Sequence, residues 1–83
     1  MIFRIKVFVT PKRGILDPQG RAVEQSLKSL GFARVDGVRV GKYIALEIDA
    51  SSVQEAEGTL KRMCEQLLAN TVIEDYRFEV EAG

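Results

Sequence analysis

The chain has 83 residues, and its 12 Lys and Arg balance 12 Asp and Glu, so the formal net charge is zero. That length supports one domain, residues 1–83, which buries only about 60–65% of its unfolded surface. One cysteine, Cys64, and no histidine exclude an internal disulfide and any Ser-His-Asp or Cys-His site, and argue against structural zinc.

Other classes fall away on pattern. No apolar run approaches the roughly 18 residues that span a bilayer, and Arg4 and Lys6 interrupt the layout of a signal peptide. The chain is therefore expected to be soluble and cytoplasmic, with no membrane partner. Its charges are segregated along the sequence. Residues 1–44 carry nine Lys/Arg against three Asp/Glu, a balance of +6, and residues 45–83 carry the reverse, a balance of −6. Two readings stay open at this stage: a dipolar surface that orients partners, or halves that interleave so that the charges meet. A nucleic-acid footprint is not supported by either.

Residues 2–10 alternate, with Phe3, Ile5, Val7 and Val9 on one face and Arg4 and Lys6 on the other, which predicts a half-buried strand. The segment Gly14-Ile-Leu-Asp-Pro-Gln-Gly20 follows. Asp17 suits a helix N-cap and Pro18 the first helical position. Gly20 falls inside the first turn, where glycine costs roughly 1 kcal/mol against alanine. Two glycines around a rigid start fit an ordinary strand-to-helix loop, which the local physics favours, or backbone that another group approaches closely. A helix over 18–30 carries Val23, Leu27 and Leu30 as its apolar stripe, widened by Ala22. Gly31 stops it, and Phe32 is placed to fold back on the last turn.

Residues 34–40 and 42–49 read as two short strands. Val38 and Val40 alternate in one, Ile44, Leu46 and Ile48 in the other, and a turn at Gly41 makes them a hairpin. Ser52 and Glu55 form a capping box ahead of a helix over 53–69, with Val53, Ala56, Leu60, Met63 and Leu67 as its stripe and Gly58 as a weak point. A last strand, 72–81, opposes Tyr76, Phe78 and Val80 to Arg77, Glu79 and Glu81.

The order β-α-β-β-α-β predicts an α+β fold, a ferredoxin-like sandwich with a four-stranded antiparallel sheet and two helices on one face. The other sheet face is then uncovered. Ile2, Phe8, Tyr43 and Ala45 fall there, rimmed by Arg4, Lys6 and Glu47, and mark a self-association surface. No catalytic constellation emerges. Cys64 reads as a core residue, because a reactive thiol needs a cationic neighbourhood. Glu74 and Asp75 are adjacent in a strand and point to opposite faces, a poor acid-base pair. Arg13, Arg39 and Lys42 carry two readings, solvated surface charge or a cluster that receives an anion beside the helix start at Pro18, and taken singly each favours the first.

The segments Gly-Ile-Leu-Asp-Pro-Gln-Gly (14–20), Leu-Gly-Phe (30–32), Val-Arg-Val-Gly-Lys (38–42) and Met-Cys-Glu-Gln-Leu-Leu-Ala-Asn-Thr-Val-Ile-Glu-Asp-Tyr (63–76) together resemble the PurS family. This family is the small subunit of phosphoribosylformylglycinamidine synthase. Thr71 departs from it, standing where the family usually has proline, which loosens the exit from the second helix. The resemblance implies a non-catalytic subunit in de novo purine synthesis. The complex converts formylglycinamide ribonucleotide, ATP and glutamine into formylglycinamidine ribonucleotide, ADP, phosphate and glutamate. It implies a dimer, or a tetramer, that docks a glutaminase subunit on a large synthetase subunit so that ammonia passes between them. It implies no cofactor on this chain, with ATP and Mg used by the synthetase.

The residues expected to meet those partners are Arg13, Gly14, Asp17, Pro18, Gln19, Gly20, Arg39, Gly41 and Lys42. Bulk at Gly14 or Gly20 is expected to weaken the complex and spare the fold. The competing reading is a small-molecule-sensing dimeric module of the same architecture.

Overall fold

A computed structural model describes all residues from Met1 to Gly83. Strand β1 (Ile2–Pro11) is followed by helix α1 (Pro18–Ser29), strand β2 (Lys42–Asp49), helix α2 (Val53–Met63) and strand β3 (Glu74–Ala82). The sheet is antiparallel, with β1 at its centre between β2 and β3. Phe3 lies opposite Ile48, Ile5 opposite Leu46 and Val80, and Val7 opposite Ile44 and Phe78. The period-2 pattern of all three strands therefore lands on one inner face. Helix α2 covers that face with Ala56, Leu60 and Cys64, all fully buried, against Phe3, Ile5, Val7 and Val9.

Two caps set the helix starts. Asp17 caps α1 with Pro18 at its first position, and the Ser52 Oγ accepts from the Glu55 N–H at 3.1 Å. Only half of the expected capping box forms, because the Glu55 carboxylate takes the Ser51 hydroxyl instead of reaching back to the N-cap. Helix α1 ends in a Schellman motif. Gly31, at φ +104, donates to the Lys28 carbonyl, and Phe32 donates to that of Leu27. Helix α2 runs on through a π-helical turn, Cys64–Leu68, which stops at Ala69 and brings Ala69 into the core.

Two expectations need correction. The sheet has three strands, not four, because residues 34–40 pair with no strand and make no hairpin with β2. The Val38 and Val40 N–H groups bond instead to carboxylates at the N-cap and in the second turn of α1. Nor does α1 share the core. No residue of α1 belongs to the apolar cluster, Val23 is 42% exposed and Leu30 74%. Residues 12–41 form a wing projecting from the sheet, and the chain measures 50 × 26 × 14 Å with a radius of gyration of 16.2 Å. A compact chain of this length would show about 12 Å.

The two charge readings divide in the same way. On the outer sheet face the halves interleave, with Arg4 of β1 opposite Glu47 of β2 and Glu81 of β3. The wing keeps a net positive charge.

Candidate functional site

The wing is held together by two carboxylates of α1. Asp17 Oδ1 accepts the Gly20 N–H at 3.0 Å, and its Oδ2 accepts the Val40 N–H at 3.0 Å. About two turns further on, Glu24 Oε1 accepts the Val38 N–H at 3.2 Å, while Oε2 faces Lys28. Asp17 and Glu24 are seven residues apart and lie on one helix face. Val38 and Val40 are two apart and present their N–H groups on one side of an extended segment. The two periods match, so the segment ties to α1 instead of to β2. Hydrogen bonds from the Val40 and Gly20 amides hold the Asp17 carboxyl below the usual carboxylate range.

This arrangement reassigns Gly20. It is the buried residue of α1, and a Cβ there would collide with the Val38 carbonyl and the Asp17 carboxylate. What approaches its backbone is the chain's own segment, so bulk at Gly20 breaks the wing and does not spare the fold. Gly41 is similar, since a Cβ there would meet the Val9 carbonyl and Thr10. Gly14 differs. It holds φ +83 with open space around it, so its need is conformational.

The structure does bring the two expected contact segments together. Arg39 Nη1 donates to the Pro11 carbonyl at 3.1 Å, and Arg13, Gly14, Asp36, Gly37 and Arg39 line a polar recess of about 390 Å³. Beside it lies a loop with Ile15 38% exposed and Leu16 77% exposed. Pro18 and Gln19 stand exposed at the helix start. Lys42 is drawn elsewhere, donating through Nζ to the Leu68 carbonyl at 3.3 Å and tying β2 to the end of α2. The sequence reading did not single out Glu24, nor the exposure of Ile15 and Leu16 within the expected segment 13–20. The seven-residue spacing from Asp17 was the signal for Glu24.

The outer-face residues are assembled as expected. Phe8 and Tyr43 stack with ring centroids 5.3 Å apart, and the Arg77 guanidinium sits 4.0 Å over Phe8. Ile2 and Ala45 are exposed on the same face. Cys64, at the opposite side of the sheet, is sealed in the core, and burial first and Glu65 second push its thiol up.

The chain is a small α+β module with a sealed thiol, a projecting wing of net positive charge and an open sheet face. The model of the family "PurS: Phosphoribosylformylglycinamidine (FGAM) synthase" matches residues 4–82. The chain is 50% identical over 80 residues to the phosphoribosylformylglycinamidine synthase subunit PurS of Bacillus subtilis, covering 96% of this chain and 94% of that one. The solved B. subtilis PurS structure superposes with a TM-score of 0.82 at 49% identity, over 96% of this chain and 99% of that chain. A chain in the structure of PurLQS from Thermotoga maritima superposes with a TM-score of 0.88 at 31% identity, over 98% of this chain and 99% of that chain. This chain belongs to the PurS family.

Proposed function

We propose that this chain is the small subunit of a glutamine-dependent phosphoribosylformylglycinamidine synthase. In this reading it bridges a large synthetase subunit and a glutaminase subunit so that ammonia passes between them. ATP and Mg then belong to the synthetase. The observation that supports the reading is the meeting of the Arg13–Gly20 segment with Arg39 where the wing joins the sheet, with basic and apolar groups side by side. Such mixed patches suit docking, the apolar residue supplying affinity and the cations orientation. Arg13, Gly14, Asp17, Pro18, Gln19, Gly20, Arg39 and Gly41 form this site, and Lys42 lies apart from it at the end of α2. Leu16 and the two arginines touch the partner directly; Asp17, Gly20 and Gly41 hold the shape. Ile2, Phe8, Tyr43 and Ala45 form the self-association face of the sheet, and the cytoplasm is the compartment.

The test is capture of the tagged chain from its own cells with glutamine, Mg²⁺ and ADP present. Recovery of an ATP-binding synthetase with a glutaminase from the parent chain, and their loss from Leu16→Asp or Arg13→Glu, is the expected result. Recovery of the chain alone would overturn the bridging role.

A further inference from the structure

The recess where the wing joins the sheet holds charge that the chain leaves unmatched. Arg13 and Arg39 line it with Asp36, Gly14 and Gly37, and no apolar residue enters its wall. The ion pairs of the molecule join Met1 to Asp49, Lys28 to Glu24 and Arg77 to Glu79, so none involves Arg13, Arg39 or Asp36. Arg39 donates one N–H to the Pro11 carbonyl, and Asp36 Oδ1 accepts the adjacent Gly37 N–H at 2.9 Å. Asp17 and Glu24 line the adjoining recess with Arg39, but their oxygens are taken by the Gly20, Val40 and Val38 amides and by Lys28. Within its own chain Arg13 has no acidic partner. Two guanidiniums against one carboxylate leave the recess a net charge of +1.

We propose, resting on the subunit reading above, that this recess receives one carboxylate, the side chain of an Asp or Glu on the partner subunit, held between Arg13 and Arg39. Charge selects the anion. One negative charge neutralises the recess, whereas a doubly charged phosphate would exceed its charge and stand against Asp36. Shape agrees, because the planar fork of a guanidinium matches a planar carboxylate with paired N–H donors. The surroundings fit an anion carried by a protein. Leu16, 77% exposed, and Ile15 lie beside the recess and offer apolar contact that a free ion cannot use. Lys42 takes no part, since its ammonium is held at the Leu68 carbonyl.

The test uses a complex reconstituted from this chain and purified synthetase and glutaminase subunits, with glutamine, Mg²⁺ and ADP present. Arg13→Lys keeps the charge and puts an amine where the guanidinium stood. Carbodiimide joins an amine to a carboxylate that touches it, and the products are mapped by mass spectrometry. A link from position 13 to one Asp or Glu of the partner is expected, and the parent chain, with Lys12 as the neighbouring amine, is the control. Arg13→Gln should raise the dissociation constant about tenfold or more. Its melting temperature as a free chain should match the parent, because Arg13 is exposed and belongs to no ion pair. An assembled Arg13→Lys complex without that link, or Arg13→Gln binding with parental affinity, would overturn the carboxylate and leave the subunit reading standing. A parent chain that binds neither subunit would overturn both.

Discussion

Asp17 and Val40 lie 23 positions apart and are joined by one hydrogen bond of 3.0 Å from the Val40 amide to the Asp17 carboxylate. The same carboxylate caps α1 at Gly20, so one side chain starts a helix and anchors the segment that returns from it. Replacing Asp17 by Ala should expose both amides to exchange. Hydrogen exchange at Gly20 and Val40 is expected to speed up together, with core amides of β1 unchanged. Independent behaviour of the two amides would show that the tie is not shared.

The same carboxylate sets an acid limit. Its pKa is lower in the folded chain than in the unfolded one. The stabilisation it brings is therefore complete above the unfolded value of about 3.9 and is lost as pH falls through the folded value. Melting temperatures recorded from pH 6 down to 2 should decline for the parent below about pH 4. Asp17→Asn should remove part of that decline.

Two glycines in helices are expected to respond oppositely. Gly58 of α2 has open space where a Cβ would go, so Gly58→Ala should stabilise by about 0.5–1 kcal/mol. Gly20→Ala would gain the same helix propensity but drives a methyl group into the Val38 carbonyl, so the net change is destabilising. Urea midpoints for the two variants on either side of the parent are the expected outcome.

Cys64 is fully buried and its thiol is held above its ordinary value, so it should resist alkylation at pH 8 in the folded chain. Labelling is expected to follow global opening, with the same denaturant dependence as unfolding followed by circular dichroism. Fast labelling without denaturant would place the residue at the surface.

Leu60 of α2 is fully buried against the sheet. Leu60→Ala should cost about 2–5 kcal/mol. For a chain this small that is a large fraction of the total stability of about 5–15 kcal/mol. A thermal melt that loses its cooperative transition is the expected result.

The sequence carried most of the sheet and both helix starts. Phe3 to Val9 alternate without exception, and Asp17-Pro18 and Ser52 mark α1 and α2 through local chemistry alone. It did not carry the fate of residues 34–40. Val38 and Val40 alternate identically whether their amides meet a strand or a pair of carboxylates, and the choice was made by Asp17 and Glu24, remote in sequence. Helix α1 misled for a related reason. An amphipathic stripe states that a face is to be covered, not by which molecule. The segments 13–20 and 39–42 stood out because glycine, proline and arginine cluster there. The role of Gly20 was not, since a close approach from within the chain and one from outside leave the same residue in the sequence.

Because Val38 and Val40 are fastened to α1 and not to β2, helix and returning segment travel as a single body. Two short crossings connect that body to the sheet, one at Lys12–Gly14 and one at Gly41. The second is pressed against the Val9 carbonyl and the first passes through a left-handed glycine. The Asp17 and Glu24 ties fix the internal geometry of that body, so Leu16 at its start and Leu30 at the end of α1 hold one set separation. A partner that fits Leu16 therefore meets Leu30 at a distance set within this chain.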